Sequence, residues 1–304
     1  MKLKSTFLFF ILFQLFFALP AKSFSFPPDT LNKKRLHPVI ASEAVAFAGS
    51  LYLLNNLWYK DYPRSSFHFF NDNSEWLQMD KLGHATTSCT IGEFGYTTLK
   101  WCGVENKKAI WYGGSLGSVY MLTIEILDGL SSEWGFSLGD FSANTFGSVV
   151  FMSQQFAWNE QRIKFKWSYH QSPYAQYRPD LLGKDLSESW LKDYNGQTYW
   201  LSGNISSFLQ KDSRFPKWLN VAFGYGAEGM IGATANPVVH NGIIMPVYER
   251  YRQFYISPDV DFTKIKTKSK FLKGVFYALN FLKFPAPTIE FSKEKKIRLY
   301  PIYF

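Results

Sequence analysis

The sequence predicts an α+β protein, with an N-terminal bundle of about four hydrophobic helices, a β-rich aromatic C-terminal region, and association with a membrane. Three observations carry this. Four apolar stretches lie between residues 39 and 158, each about 20 residues, the length of a bilayer-spanning helix. After Asn159 the hydropathy pattern changes to period two, the mark of half-buried strands. Aromatic residues make up 19% of the 304 residues, and charged residues also 19%, a balance opposite to that of a disordered chain. Two cysteines exclude a disulfide scaffold and a thiolate-only zinc site.

The chain opens with two lysines in Met1–Lys4. An apolar run from Phe7 to Leu19 follows, then Pro20 and Ala21-Lys22-Ser23. This charged, apolar, small-residue order reads as a secretory signal peptide over residues 1–23, because the apolar run is shorter than the ~20 residues a span needs. Export to the periplasm or outer membrane of a bacterial envelope follows. Cys89 and Cys102 both fall on or just after one predicted helix, which separates them by about 20 Å, too far to be bridged.

The predicted helices are Val39–Trp58, Asp80–Trp101, Ala109–Leu127 and Asp140–Trp158, forming a helical domain over 39–158. Small residues recur at four-residue spacing, as in Gly113 and Gly117 or Ala143 and Gly147, which lets helix backbones approach closely. Acids interrupt every stretch: Glu43, Glu93, Glu125 and Asp140. Carboxylates at bilayer depth cost several kcal/mol unless paired. With an exported N-terminus, the loop carrying Lys107 and Lys108 would be external and the loop carrying Glu133 internal, the reverse of the positive-inside rule. A compact bundle in the periplasm, or one lying against a membrane, fits better than an inner-membrane bundle.

In the C-terminal region, 159–304, the clearest strand candidates are Arg162–Trp167, Trp218–Gly232, Tyr248–Phe262 and Arg298–Phe304. The terminal Phe304 and alternating apolar residues resemble outer-membrane strands, but five candidates are too few for a single-chain barrel, which starts at about eight. Pro301 argues for an edge position. Lys264–Lys273 carries five lysines. Two readings stand: contact with membrane lipid or lipopolysaccharide, or a solvated edge that discourages strand pairing. Nucleic acid is not an expected partner, since the basic residues accompany no stacking platform.

One polar constellation carries candidate chemistry. Asp80 and His84 are four apart on one face of the second helix, where Asp80 is also placed to cap. Glu125 and Asp128 close the third helix, and Asp140 and Asn144 open the fourth, with Gly147 on the same stripe. If consecutive helices are antiparallel, all three pairs gather at one end of the bundle. As a functional site, His84, Asp80, Glu125 and Asp140 are the candidate catalytic residues. His84, Glu125, Asp128 and Asp140 are the candidate ligands of a divalent metal, since mixed imidazole and carboxylate donors suit zinc or manganese. As a structural feature, the same residues form a hydrogen-bonded polar knot that holds three helices in register, with Asn144 and Gly147 in structural roles. No phosphate loop, nucleophile elbow or zincin helix is present. His37, His68, His170 and His240 have no close metal-ligand partner in sequence.

The order Asp80-Lys81-x-x-His84, Glu125-x-x-Asp128, Gly135-x-Ser137-x-x-Asp140-x-x-x-Asn144-x-x-Gly147 resembles the YfiM-type predicted periplasmic lipoproteins, a domain of unknown function. More distantly, it resembles the VanZ-like membrane proteins. The resemblance covers roughly residues 76 to 151 and implies an envelope location and a short helical domain, with no assigned activity. The chain departs from the lipoprotein pattern in having no cysteine before Cys89. Lys217-Trp218-Leu219-Asn220 and Gly224-Tyr225-Gly226 look like extended versions of such proteins. The expected function is therefore a non-enzymatic structural role in the envelope or at the outer membrane. The alternative is a metal-assisted or acid–base hydrolase or transferase acting on an envelope lipid or glycan.

Overall fold

The computed structural model describes residues 30–60, 62–210 and 212–304; the signal-peptide segment 1–23 lies outside them. The fold is α+β, with helices first and a sheet-rich C-terminal region. The chain divides into two compact units. One is helical and includes 30–73 and Asp80–Gln161; the other is built on a sheet and includes Ser74–Met79 and Arg162–Phe304.

Five helices make the helical unit: α1 (Lys33–Leu54), α2 (Met79–Trp101), α3 (Asn106–Gly114), α4 (Leu116–Gly129) and α5 (Leu138–Trp158). The third predicted helix is two, because it is interrupted at Ser115 after Gly113 and Gly114, which are poor helix formers. Among the described residues, α1 is the one helix long and apolar enough to cross a membrane by length and composition. Its Glu43 carboxylate accepts a hydrogen bond from Thr98 of α2 at 2.8 Å, and burial pushes that carboxyl above its usual range. The Ser137 side chain caps α5 by accepting from the Asp140 N–H, which also sets the Asp140 charge at the positive helix end. Asp80, by contrast, lies inside the first turn of α2 rather than at its cap, since the helix begins at Met79. Cys89 sits in α2 and Cys102 just past its end, so the helix keeps them unbridged.

Two glycines set the spacing of these helices. A Cβ on Gly147 of α5 would stand 2.1 Å from the Ala85 carbonyl oxygen of α2, and one on Gly117 of α4 would stand 1.9 Å from the Ser88 carbonyl oxygen. Both neighbours are backbone, so no side-chain rotation relieves them. Ser88 completes the contact, donating to the Asn144 carbonyl at 2.7 Å and meeting the Ser148 hydroxyl at 3.0 Å.

The second unit carries a six-stranded antiparallel sheet. Its strands are β1 (Ile163–Tyr169), β2 (Gln197–Asn204), β3 (Leu219–Glu228), β6 (Tyr251–Val260), β7 (Ala286–Ser292) and β8 (Lys296–Tyr303), in that spatial order. A short separate ladder pairs β4 (Val239–His240) with β5 (Ile243–Ile244). Sequence reading found β1, β3, β6 and β8 and passed over β2 and β7. Pro301 is accommodated because β8 is an edge strand.

The sheet is strongly curled. Lys166 of β1 lies 2.9 Å from Asp259 of β6, although three strand spacings separate those strands by about 14 Å in a flat sheet. The outer edge of β1 is bridged by Phe281–Lys283 through Trp167 N–H to Phe281 O at 2.9 Å and Lys283 N–H to Trp167 O at 3.0 Å. Tyr303 at the end of β8 meets Thr198 of β2 at 2.9 Å and donates to the Tyr255 hydroxyl of β6 at 3.1 Å.

Its two faces are reversed relative to an ordinary soluble sheet. Along β6, Gln253, Tyr255, Ser257 and Asp259 are buried, while Arg252, Phe254, Ile256 and Pro258 alternate with them on the exposed face. Along β7, Thr288 and Glu290 are buried, and Ile289 and Phe291 are exposed. On β8, Ile297, Leu299 and Ile302 are each about two-thirds exposed or more. The enclosed side is polar and aromatic: Trp200, Tyr255 and Tyr303 pack together, and Ser202, Asn204, Asn220 and Glu290 are buried beside them.

Candidate functional site

The helix ends of the first unit hold a polar centre. His84 of α2, Glu125 of α4 and Asn144 of α5 meet directly. His84 Nδ1 is 3.1 Å from Asn144 Oδ1 and 3.3 Å from Glu125 Oε1, while His84 Nε2 is 3.8 Å from Asp140 Oδ1. Asn144 Nδ2 donates to Glu125 Oε1 at 3.3 Å. The Glu125 side chain is 1% exposed and that of His84 19%, so the imidazole is the more accessible member of the pair.

A second group adjoins it. Lys81 Nζ lies 2.7 Å from Asp72, 2.9 Å from Asp80 and 2.8 Å from Asp140. Ser137 donates to Asp72 at 2.5 Å and accepts from the Asp140 N–H at 3.0 Å. Asp140 thus belongs to both groups. Asp80 belongs only to the lysine group, and Asp128 to neither: its carboxylate accepts from the Tyr59 hydroxyl at 2.6 Å. Three residues along a helix amount to a rotation of about 60° short of a full turn, enough to send Glu125 to His84 and Asp128 to Tyr59.

The electrostatics follow from burial and charge count. Burial pushes the Glu125 carboxyl up to about 8 against the pull of His84. Burial, joined by a hydrogen bond to Asp72, pushes Asp140 up to about 8 against the pull of Lys81. Burial alone would raise Asp72, but hydrogen bonds from Asp140, Lys81 and Ser137 hold it below its usual value. The two carboxyls are thus shifted in opposite directions, Asp72 down and Asp140 up. Burial also raises Asp128, to about 6, against the Tyr59 hydrogen bond. The Lys81 ammonium is held charged: its desolvation is outweighed by the charges of Asp80 and Asp140.

The residues missed from sequence are Asp72, Tyr59 and the hub role of Lys81. Lys81 stands inside the Asp-Lys-x-x-His motif, so its position was visible. Its three partners lie nine residues before it, next to it and 59 residues after it, and spacing along one helix cannot reveal such a set.

The chain is thus an α+β protein that carries a helix-borne centre of buried carboxylates, one lysine and one half-buried histidine, followed by a curled antiparallel sheet. Residues 68–154 match the family described as "Predicted periplasmic lipoprotein (DUF2279)", and every member of the polar centre except Tyr59 lies in that segment. The match supports a domain of unknown function in an envelope protein. No curated protein and no solved structure matches the chain.

Proposed function

We propose that this protein is a non-enzymatic component of the outer membrane's inner aspect, held there by the outward face of its sheet. The observation that carries the reading is the reversal of that sheet: polar groups enclosed, Phe254, Ile256, Ile289, Phe291, Leu299 and Ile302 outward. An exposed apolar face of this extent marks an interaction surface, and the polar-in, apolar-out alternation is the pattern of strands that meet lipid. Strands of seven to ten residues include several below the ~9 needed to cross a bilayer, which favours partial immersion over a spanning barrel. The helix α8 (Lys270–Leu279, the eighth in chain order after α6, Pro179–Leu182, and α7, Leu186–Lys192) exposes Phe271 and Leu272 beside Lys270. Lys266 and Lys268 precede it, a basic and apolar combination suited to anionic lipid. The outer-membrane location, the lipid partner and the kinship to YfiM-type proteins are parts of this reading.

Flotation of the purified full-length chain with vesicles tests it. Binding is expected to anionic phosphatidylglycerol-containing vesicles, weaker binding to neutral phosphatidylcholine, and loss of both in the Leu299→Glu, Ile302→Glu double variant. A wild-type chain that stays at the bottom of the gradient with either vesicle overturns it.

A second reading, acid–base or metal-assisted hydrolysis or group transfer on an envelope lipid or glycan, draws on one observation. The half-buried His84 imidazole rests on a carboxylate that burial keeps protonated near neutral pH, an arrangement suited to proton transfer. An envelope phenotype lost in His84→Ala with membrane binding and melting temperature unchanged would favour it.

A further inference from the structure

The helical unit contains two trios of metal-competent donors, and they differ in one respect. In Asp72, Asp80 and Asp140, the Lys81 ammonium stands within 2.7–2.9 Å of all three carboxylates. That trio already holds its cation. In His84, Glu125 and Asp140, whose donor atoms all lie within 4.8 Å of one another, Lys81 touches Asp140 alone, at Oδ1, and among the described residues no lysine or arginine pairs with His84 or Glu125.

We propose that His84, Glu125 and Asp140 bind one divalent first-row transition cation of the zinc or manganese type.

Three features of the geometry support this. First, Glu125 Oε2 is buried on a side chain 1% exposed and makes no close hydrogen bond to a described residue, the Ser137 N–H being the one backbone donor that favours its charge. A buried carboxylate oxygen without a close donor carries its desolvation cost, and a cation is the partner that removes it. Second, Asn144 fixes the imidazole. Its Nδ2 donates to Glu125 Oε1, so its Oδ1 accepts from His84 Nδ1–H. The proton is then on Nδ1, and the Nε2 lone pair faces Asp140 Oδ1 across 3.8 Å. Two acceptors at that separation cannot hydrogen-bond, yet each can sit about 2.1 Å from one shared ion. An outer residue that sets the tautomer of a ligating histidine is the usual companion of such sites. Third, the donors come from α2, α4 and α5, whose separation is fixed by the close contacts at Gly117 and Gly147, so the trio is held without a flexible loop. One nitrogen and two carboxylate donors suit zinc or manganese rather than calcium, which takes six to eight oxygens. The His84 side chain, 19% exposed, gives entry.

The test is calorimetric titration of the full-length chain, purified without a histidine tag and stripped with chelator, against Zn²⁺ and separately Mn²⁺. One equivalent of at least one ion is expected to bind, with a rise in melting temperature. His84→Ala should weaken binding at least tenfold, the usual size of a lost ligand or its support. Glu43→Gln, which alters a buried carboxylate elsewhere on the bundle, should leave affinity as in wild type. Wild-type binding weaker than about 100 μM for both ions, or His84→Ala binding as tightly as wild type, overturns the proposal. Should His84→Ala fail to fold, X-ray absorption of the loaded wild type decides: imidazole scattering within a nitrogen and oxygen shell is expected, and its absence overturns the assignment. Neither measurement involves membrane, so its outcome is separate from that of the vesicle experiment.

Discussion

Each unit holds a buried charged cluster, and the two clusters are neutralised by different means. In the helical unit, Asp72, Asp80, Glu125 and Asp140 surround one lysine and one half-buried histidine. In the sheet unit, Lys166 and Lys283 flank one carboxylate, that of Asp259, and all three are fully buried. The surplus lysine charge is met by backbone: Lys166 donates to Val260 O at 2.6 Å, and Lys283 to Pro258 O at 2.9 Å and Phe284 O at 2.7 Å. An ammonium has three donors and finds carbonyls wherever a strand ends. A carboxylate has only acceptors, and the N–H groups of a helix interior are already committed. The acid cluster on the helices is therefore left to hold protons or a cation, whereas the lysine pair around Asp259 is satisfied by backbone carbonyls.

That contrast breaks first at Asp259. Asp259→Leu leaves two buried ammonium groups without their carboxylate and removes the acceptor of Ser202 and of the Phe284 N–H. A loss of about 3–5 kcal/mol is expected, read as a large fall in the urea midpoint; a midpoint near that of wild type would mean water reaches Lys166.

Next is the helix contact. Gly147→Leu places a branched side chain against the Ala85 carbonyl and should cost about 1–3 kcal/mol, with the thermal melt of Gly147→Ala falling between the two. Equal melting of all three proteins would show that α2 and α5 separate easily in solution.

His84→Ala removes one of the two side chains that, among the described residues, contact Glu125 Oε1, the other being Asn144. In the metal-free protein the expected cost is about 1–2 kcal/mol, smaller than at Asp259 because the imidazole is half-buried. A cost above that of Asp259→Leu would reverse the comparison.

A smaller effect is the pH response of Asp128. Its carboxyl is raised by burial and by Asp72, and lowered by Tyr59 and His84, while Glu125 of the same helix lies one turn away. The folded-state value, about 6, is above the ordinary 3.8, so the folded chain holds the proton more tightly. Its stabilising contribution is full below pH 4 and is lost as pH rises through 6. Melting temperatures of wild type and Asp128→Asn between pH 4 and 7 should diverge by an amount worth on the order of 1 kcal/mol; parallel curves would show that the group ionises freely.

The smallest effect is expected on the sheet's outward face. Leu299→Ser alters a residue already 67% exposed and should shift stability in solution by less than about 0.5 kcal/mol. A larger loss would mean that the face is covered in the isolated protein.

Much of the helical unit was legible beforehand because each signal is local. The four apolar stretches, the change of period after Asn159 and the one-face spacing of Asp80 with His84 are read from neighbours in the chain. The strands β2 and β7 were passed over for a related reason. Gln197-Thr198-Tyr199-Trp200-Leu201-Ser202 and Pro287-Thr288-Ile289-Glu290 alternate, but alternation does not say which face is enclosed. Reading apolar as inward, as in a soluble sheet, gives these segments a weak pattern, because most of their buried positions are polar: Gln197, Thr198, Ser202 and Asn204 beside Trp200, and Thr288 and Glu290 beside Ala286.

The sequence by itself determined the class: helices before strands, a polar set spaced along helix faces, a segment typical of envelope proteins. Only the tertiary structure decided the membership of the polar centre. It joined Asp72 and Lys81 to Asp140, sent Asp128 to Tyr59, and brought His84, Glu125 and Asn144 to within 3.3 Å. It likewise decided that the sheet's apolar residues face outward. The physical reason is the same in both cases. Spacing along a chain fixes the direction of a side chain relative to its own helix or strand. What lies in that direction depends on packing between segments tens of residues apart, through contacts such as a glycine against a backbone carbonyl or a lysine reaching across a curled sheet.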